Sequence, residues 1–199
     1  MAAYEKQGES DEWYTPKYIF DALGVSFDLD VASPPEGPRH VPANSFYSER
    51  SLEREWTGFV WMNPPFGHQS TKILWMKKFF DHGNGIALLP DRTSAPWWQK
   101  FAPMADMILF VSPKVKFEMP EGAIERVHEL ESRGHDMKYI AKNSRFSEAN
   151  VKRLLAGEDA LEQPGTGTTL FAAGQAGRAA LIRASSLGQV FQPVTARAA

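Results

Sequence analysis

Short apolar runs alternate with helical segments along most of this chain of 199 residues, and this alternation constrains the fold more than any other feature. The predicted strands are 27–32, 56–62, 86–89, 107–111, 115–117, 168–173 and 189–191. The predicted helices between them are 17–23, 71–82, 95–104 and 175–183. Strands that alternate with helices indicate an α/β sheet that is mostly parallel.

The composition fits one folded core and excludes several classes of protein. Hydrophobic residues make up 43% of the chain, which argues against disorder, yet no apolar run approaches the about 20 residues of a membrane span. The absence of cysteine excludes disulfides and thiolate metal sites. The five histidines show no metal-ligand spacing, so we expect no metal. A net charge of −2 argues against a generic polyanion binder but leaves room for a locally basic face.

The tetrapeptide Asn63-Pro64-Pro65-Phe66 directly follows a predicted buried strand. Ligands of α/β sheets bind at the carboxyl ends of strands, and this motif lies at such an end. The Asn63 side chain and the Pro64 carbonyl could accept the two N–H groups of a nucleobase amine, which would draw its nitrogen toward tetrahedral geometry and free its lone pair. Phe66 offers the base a stacking surface. The motif therefore predicts binding of a flipped-out base that carries an amino group, although a rigid proline turn is the simpler alternative.

Several stretches in order resemble the small phage and prophage DNA N6-adenine methyltransferase family. The tetrapeptide is similar to the (D/N/S)-P-P-(Y/F/W) motif of amino methyltransferases that use S-adenosylmethionine. The other matching stretches are "DEWYTP" (11–16), "FDLDVAS" (27–33), "WTGFVWMNPPFG" (56–67), "GIALLPDRTSAPWW" (85–98), "SPKVKF" (112–117) and "GTTLFAAG" (167–174). The resemblance covers most of 11–117 and 167–192 and does not include the segment between them. The order of the motifs is that of the gamma arrangement.

This resemblance implies a Rossmann-like methyltransferase sheet, S-adenosylmethionine as cofactor and double-stranded DNA as substrate. The implied catalytic residues are Asn63, Pro64, Pro65 and Phe66. The implied cofactor-binding residues are Trp13, Tyr14, Thr15, Pro16, Asp28, Asp30, Ala32, Asn44 and Asn63. The usual glycine-rich turn is replaced by the proline-rich stretch 33–44, which we interpret as a loop, so the residue that contacts the ribose or methionine portion stays open among Asp28, Asp30, Glu36 and Asn44.

Two of these assignments have simpler structural alternatives. Thr15 and Pro16 could mark a helix start, with Thr15 as the cap and Pro16 at the first helical position. Asp28 and Asp30 could be solvated carboxylates on a strand edge.

Two loops are candidates for DNA contact. Arg92, Thr93 and Ser94 follow the predicted strand 86–89, so they would face the same cleft as Asn63. Lys114 and Lys116 belong to a predicted hairpin that, in the family interpretation, helps to hold the extruded base or its backbone. The expected DNA-contact residues are Arg92, Thr93, Lys114, Lys116, Ser147, Asn150, Lys152 and Arg153.

Residues 137–157 have the rhythm of a helix-turn-helix, with Phe146 in the turn and Ser147 capping the second helix. A predicted helix at 124–133 completes a three-helix unit. Five basic residues stand against one acidic residue between Met137 and Ala156, a net charge of +4 in an otherwise acidic chain.

We expect the second helix of this unit to enter the major groove of DNA. Its expected exposed readers are Ser147, Glu148, Asn150 and Arg153, with Lys152 near the backbone. Packing or dimerisation is the alternative role for the segment.

The predicted organisation is a methyltransferase domain of residues 11–120 and 163–192, an inserted helix-turn-helix module of residues 121–158, and tails at 1–10 and 193–199. Other acceptors remain open: RNA adenine, cytosine N4 or protein glutamine. An inactive DNA-binding regulator also remains open. The resemblance further implies a phage- or prophage-encoded protein in a bacterial cytoplasm, with a role in restriction and modification or in regulation. The oligomeric state stays open, a homodimer included.

Overall fold

The computed structural model describes residues 14–65, 69–118, 122–144, 146, 148–158 and 167–194. Its strands are β1 Phe27–Asp30, β2 Ala43–Phe46, β3 Val60–Met62, β4 Gly85–Pro90, β5 Met107–Val111, β6 Thr168–Ala173 and β7 Gly188–Phe191. Its α-helices are α1 Lys17–Leu23, α2 Gln69–His82, α3 Pro96–Phe101, α4 Ala123–Ser132, α5 Met137–Ser144, α6 Glu148–Leu155 and α7 Gly174–Arg183. Short 3₁₀ turns lie at Ser51–Glu53, Ala102–Met104 and Ala184–Leu187.

The seven strands form one sheet in the order β2-β1-β3-β4-β6-β5-β7. Strands β2, β1, β3 and β4 pair in parallel, whereas β6 runs antiparallel to both of its neighbours, β4 and β5. Strand β7 pairs antiparallel with β5 at the far edge. The predicted α/β class is therefore confirmed, with two antiparallel strands in a sheet that is otherwise parallel.

Helices cover both faces of this sheet because β3 and β4 are apolar on both sides. On one face, Phe20 of α1 packs edge-on against Phe27 and Trp61, and α7 contacts β4, β5, β6 and α1. On the other face, α2 and α3 bury Phe79 and Phe101 in the core that includes alternate residues of β3. Because β2, β1, β3 and β4 are parallel, their carboxyl ends lie at the same edge of the sheet, and Asn63 follows the end of β3 at this edge.

The predicted elements agree with the structure for most of the chain, and the differences have local causes. Helix α3 is shorter than predicted because Pro103 lacks the N–H that an α-helix needs, and a 3₁₀ turn follows it. Strand β2 was not predicted: residues 43–46 lie next to a proline-rich stretch and have no alternating burial. On α2, the Leu74 side chain is 54% exposed, whereas its neighbour Trp75 is buried.

The predicted strand 115–117 is wrong. Val115 and Phe117 are buried while Lys114 and Lys116 are exposed, so burial alternates as it would in a strand. In the part of the chain that the structure describes, no neighbouring backbone pairs with residues 115–117. The nearest pairing is a single bridge between Tyr14 and Glu118, one residue further along. Alternating burial without a ladder partner does not make a strand.

Contacts divide the described chain into two compact units. The sheet unit holds residues 15–65, 69–115 and 167–194, and the helical unit holds residues 14, 116–118, 122–144, 146 and 148–158. In the helical unit, α4, α5 and α6 share one apolar core, made of Ala123, Val127, Leu130, Ile140, Phe146, Val151 and Leu154. The predicted three helices are confirmed as helices. No helix in the described residues is both long and apolar enough to cross a membrane.

Candidate active site

Asn63 and Pro64 leave β3 at its carboxyl end, the end that parallel strands share with their ligands. Asn63 is half-buried and Pro64 is buried. Among the described residues, neither the side-chain oxygen of Asn63 nor the carbonyl oxygen of Pro64 accepts a hydrogen bond. A partly buried acceptor without a partner is uncommon in a folded protein, so these two oxygens are available to a ligand.

The other end of the Asn63 amide is occupied. Its nitrogen Nδ2 donates a hydrogen bond of 3.2 Å to the hydroxyl oxygen of Thr15, a buried residue that directly precedes α1. Helix α1 starts at Lys17 as predicted, but the alternative in which Thr15 caps it and Pro16 is its first residue is wrong, because Pro16 is the N-cap and no side chain caps the helix. The Thr15 hydroxyl therefore accepts a hydrogen bond from Asn63, at the end of β3, and does not cap α1.

Asp30 is the last residue of β1 and pairs in register with Trp61 of β3. Spacings of about 4.8 Å between strands and about 3.3 Å per residue along a strand place the Cα atoms of Asp30 and Asn63 about 8 Å apart. The carboxyl group is only 3% exposed, and its Oδ1 accepts the N–H of Ala32 at 3.1 Å. In the described residues no basic side chain pairs with it.

Burial raises the pKa of Asp30 from its ordinary value of 3.8 to about 7, and the hydrogen bond from Ala32 offsets part of that increase. A buried carboxylate without a cation is costly to ionise. A ligand that brings a positive charge and hydroxyl donors would remove that cost, and S-adenosylmethionine, with its sulfonium, ammonium and ribose groups, has this chemistry. The site therefore fits the cofactor that the sequence resemblance implies.

Two further residues at this edge were not found from the sequence. The hydroxyl of Ser33, three residues after Asp30, is buried and has no hydrogen-bond partner in the part of the chain that the structure describes. Phe46, at the carboxyl end of β2, pairs in register with Asp30 and leaves a large aromatic side chain 42% exposed. An unpartnered buried hydroxyl and an exposed ring beside a buried carboxyl group are features of a surface that a ligand covers. Phe46 could not be assigned before β2 was known to be a strand.

Asp28 does not belong to this edge. Its Oδ2 accepts the N–H of Phe59 at 2.7 Å, and Phe59 precedes β3, so the carboxylate lies at the amino end of the strand whose carboxyl end carries Asn63. The expectation that Asp28 contacts the cofactor is corrected for this reason. Asn44 is exposed on β2, two residues before the carboxyl end of that strand.

The loop after β4 reaches the same edge of the sheet, because β4 pairs with β3 and continues beyond it. Arg92 and Thr93 are exposed there, and the Thr93 carbonyl accepts a hydrogen bond of 2.6 Å from the Gln99 side chain. Asp91 donates its N–H to the Gly167 carbonyl, and its buried Oδ1 has no partner among the described residues. The loop is thus anchored by its backbone and presents polar side chains.

The residues of the helical unit that were expected to read the DNA groove differ in how exposed they are. Asn150 is only 8% exposed, so its expected role as an exposed reader is wrong: the side of α6 that carries it faces the other helices. Arg153 is half-buried and forms an ion pair of 2.9 Å with Glu158. Glu148 and Lys152 are exposed.

Three predicted site residues, Trp13, Phe66 and Ser147, lie outside the described residues. The predictions for them stay predictions.

The sheet and the site together define a class. A mostly parallel sheet with one antiparallel strand between β4 and β5, and free acceptor oxygens at the tip of β3, fit an α/β methyltransferase. Residues 3–150 match the DNA N-6-adenine-methyltransferase (Dam) family, and because this match covers well over half of the chain, the protein belongs to that family. Its activity is therefore site-specific methylation of adenine N6 in DNA. The comparisons with curated proteins and with solved structures gave no match.

The matched range also changes the expected limits of the family resemblance. It runs through α4 and α5 into α6, so the helical segment that the sequence motifs had left out lies within it. It ends before β6, so the resemblance of "GTTLFAAG" to the closing strand of the family lies outside the match. The family match favours adenine in DNA over the other acceptors and over an inactive regulator.

Proposed function

We propose that the oxygen Oδ1 of Asn63 and the carbonyl oxygen of Pro64 receive the two amino N–H groups of an adenine that has been flipped out of duplex DNA. The observation that carries this proposal is that neither oxygen has a partner among the described residues and that the two lie one residue apart at the carboxyl end of β3. Phe66 stacks on the base in this proposal.

The chemistry at the two oxygens follows from the electronic structure of the amine. The lone pair of an adenine amino group is delocalised into the ring, so the nitrogen is a poor nucleophile. Hydrogen bonds to Asn63 and Pro64 pull the two N–H groups out of the ring plane and localise that lone pair. S-Adenosylmethionine, when bound, carries the transferable methyl group on a sulfonium, and loss of that methyl group converts the sulfonium to a neutral thioether. The proton that the amine then loses passes to solvent.

The cofactor is proposed to lie over the carboxyl ends of β1 and β2. Asp30 accepts hydrogen bonds from its cationic and hydroxyl groups, and the unpartnered Ser33 hydroxyl adds a donor. Phe46 offers its exposed ring to the adenine portion. Thr15 and Pro16 precede α1 beside Asn63 and border the same space.

Duplex DNA is proposed to contact the sheet unit through the loop after β4 and the segment after β5. Arg92 and Thr93 are exposed at the edge that carries Asn63, where an extruded nucleotide must arrive. Lys114 is exposed after β5 in the sheet unit, and Lys116 is exposed at the start of the helical unit, where it is proposed to contact the same DNA. Contacts of this type hold phosphates and set the register of the protein on DNA.

The helical unit is proposed to act as a second DNA grip of the helix-turn-helix type. Each arginine among the described residues of the unit has a carboxylate partner, since Arg126 and Arg133 share Glu129 and Arg153 pairs with Glu158. The exposed lysines at 138, 142 and 152 have no carboxylate partner among the described residues. Unneutralised lysines on a helix surface fit the phosphates of a duplex.

Two of these lysines, Lys138 and Lys142, lie on α5 with the exposed Tyr139, whose ring stacks on that of His135 just before the helix, with 4.0 Å between the ring centroids. Replacement of both Lys138 and Lys142 by glutamine is expected to weaken DNA binding and to reduce the slope of log K against log salt by about 2, one for each lost phosphate contact. Lys77→Gln is the matched control, because this exposed lysine is already paired with Asp81 on α2. A salt slope that does not change would contradict the DNA grip.

The catalytic proposal is tested with Asn63→Ala. The protein is incubated with S-adenosylmethionine that carries a tritiated methyl group and with unmethylated duplex DNA, and the nucleosides are separated after digestion. The wild type is expected to label N6-methyladenine, and Asn63→Ala is expected to lose at least 100-fold in rate while it retains cofactor affinity. A variant that methylates at the wild-type rate would refute the role of Asn63.

The place of action is also a proposal. The phage-type motifs support a protein encoded by a phage or prophage that acts in the cytoplasm of a bacterial host.

A further inference from the structure

We infer that the hydroxyl group of Thr15 is a positioning group that fixes the orientation of the Asn63 side-chain amide. The inference rests on the proposed role of Asn63 as an acceptor for the adenine amino group. It is carried by the 3.2 Å hydrogen bond from Asn63 Nδ2 to Thr15 Oγ1. A role for Thr15 in contact with the cofactor would not require this bond.

The two ends of an asparagine amide are chemically different, so its orientation decides the reaction. With Nδ2 on the Thr15 hydroxyl, Oδ1 is the end that remains for the substrate. Rotation of the amide by half a turn would bring its own N–H groups against the N–H groups of adenine, and two donors repel each other. In the observed bond the Thr15 hydroxyl accepts from Nδ2, and this bond holds the amide in the orientation that leaves Oδ1 to accept.

The surroundings of Thr15 suit this task. The residue is only 5% exposed, so water competes little for its hydroxyl. Helix α1 does not use the hydroxyl, because its N-cap is Pro16 and no side chain caps it. Among the described residues, the bond to Asn63 is the only hydrogen bond of that hydroxyl.

The first test compares Thr15→Val, which keeps the shape and removes the hydroxyl, with Thr15→Ser, which keeps the hydroxyl. The single-turnover rate of DNA methylation is measured at saturating cofactor and DNA, and the cofactor Kd is measured by calorimetry. Thr15→Val is expected to lower the rate about 10-fold, equivalent to about 1.4 kcal/mol, and to change the cofactor Kd less than twofold. Thr15→Ser is expected to restore the rate to within about threefold of the wild type.

A second test uses the symmetry of a carboxylate. Both ends of an aspartate side chain are acceptors, so in the Asn63→Asp background no group is needed to choose between them. Thr15→Val is therefore expected to reduce the rate by a smaller factor in the Asn63→Asp background than in the wild type. If Asn63→Asp has too little activity to measure, the comparison of valine with serine at position 15 decides the question.

The outcomes separate this inference from the proposed function. If the wild type labels N6-methyladenine and Thr15→Val keeps its rate, the inference is wrong and the proposed function stands. A higher cofactor Kd with an unchanged saturated rate would assign Thr15 to the cofactor instead. If Thr15→Ser is as slow as Thr15→Val, the side-chain shape and not the hydroxyl matters, and the inference is also wrong. A wild type that labels no adenine would overturn the proposed function itself.

Discussion

Asp30 places a carboxyl group in the interior at the end of β1, where no described residue pairs with it as a cation, so its ionisation weakens the folded state. The pKa of this group is raised from 3.8 to about 7 by burial. The folded protein therefore holds the proton more tightly than the unfolded chain between these two values. The stability that this proton contributes is complete below pH 3.8 and is lost as the pH rises through about 7.

The size of the effect follows from the two pKa values. Each tenfold change in proton affinity corresponds to about 1.4 kcal/mol, so ionisation of Asp30 costs about 4 kcal/mol of folding free energy above pH 7. Asp30→Asn removes the ionisation and keeps an oxygen that can accept the N–H of Ala32. The variant is therefore expected to be more stable than the wild type at alkaline pH, by up to that amount.

The assay is urea unfolding of both proteins at pH 5 and at pH 8.5, without cofactor. The stability gained by Asp30→Asn is expected to be about 3 kcal/mol larger at pH 8.5 than at pH 5. Ser33→Ala is the matched control, because it removes a buried polar group at the same edge that does not titrate in this range. A gain for Asp30→Asn that is equal at the two pH values would refute the reasoning.

The same carboxylate and one glycine give the remaining predictions. If S-adenosylmethionine binds the ionised form of Asp30, the affinity of the protein for the cofactor should rise as the pH increases from 5 to about 7 and level off above. Calorimetry in buffers of different ionisation enthalpy should detect release of a proton on binding. A cofactor Kd that does not change with pH would contradict the contact. Gly58→Ala should lower the free energy of unfolding by about 3 kcal/mol or more, because the residue has a φ of 68° and a Cβ there would lie 2.2 Å from the Asp28 carboxylate. Gly134→Ala shares the positive φ but has open space around it, so it should cost only about 1 to 2 kcal/mol in the same urea titration. Equal losses for the two glycine variants would show that the packing against Asp28 contributes nothing.

Much of the fold could be predicted from local pattern. Strands β5 and β6 and helix α1 have their predicted bounds, because each is an apolar run bordered by residues that end it, such as Gly24 after α1. The unpredicted strand β2 shows the limit of this approach. Its residues are mostly exposed, so nothing in their pattern distinguishes them from the proline-rich loop before them, and only pairing with β1 makes them a strand.

The candidate site divides in a similar way. The motif at Asn63 and Pro64 could be recognised from residue types alone, because few other functions need two acceptors and two prolines at the tip of a strand. Asp28 and Asp30 could not be told apart, since both are acids on one predicted strand. In the structure, the Asp28 carboxylate accepts the N–H of Phe59 at the amino end of β3. Asp30 instead lies buried at the carboxyl end of β1, next to the end of β3 that carries Asn63.

The sequence by itself determined the class of fold, the motif that carries the chemistry and the family, because these depend on periodicity and on the order of residue types along the chain. The tertiary structure alone decided which polar groups are free to act. Thr15 and Asn63 are 48 residues apart in the chain, and their hydrogen bond exists only because α1 and β3 meet in the folded sheet unit. The same applies to Asn150, which is buried on α6 although the pattern of residue types predicted an exposed side chain. Burial and hydrogen bonding between distant segments are properties of packing, and a pattern of residues along one segment does not contain them.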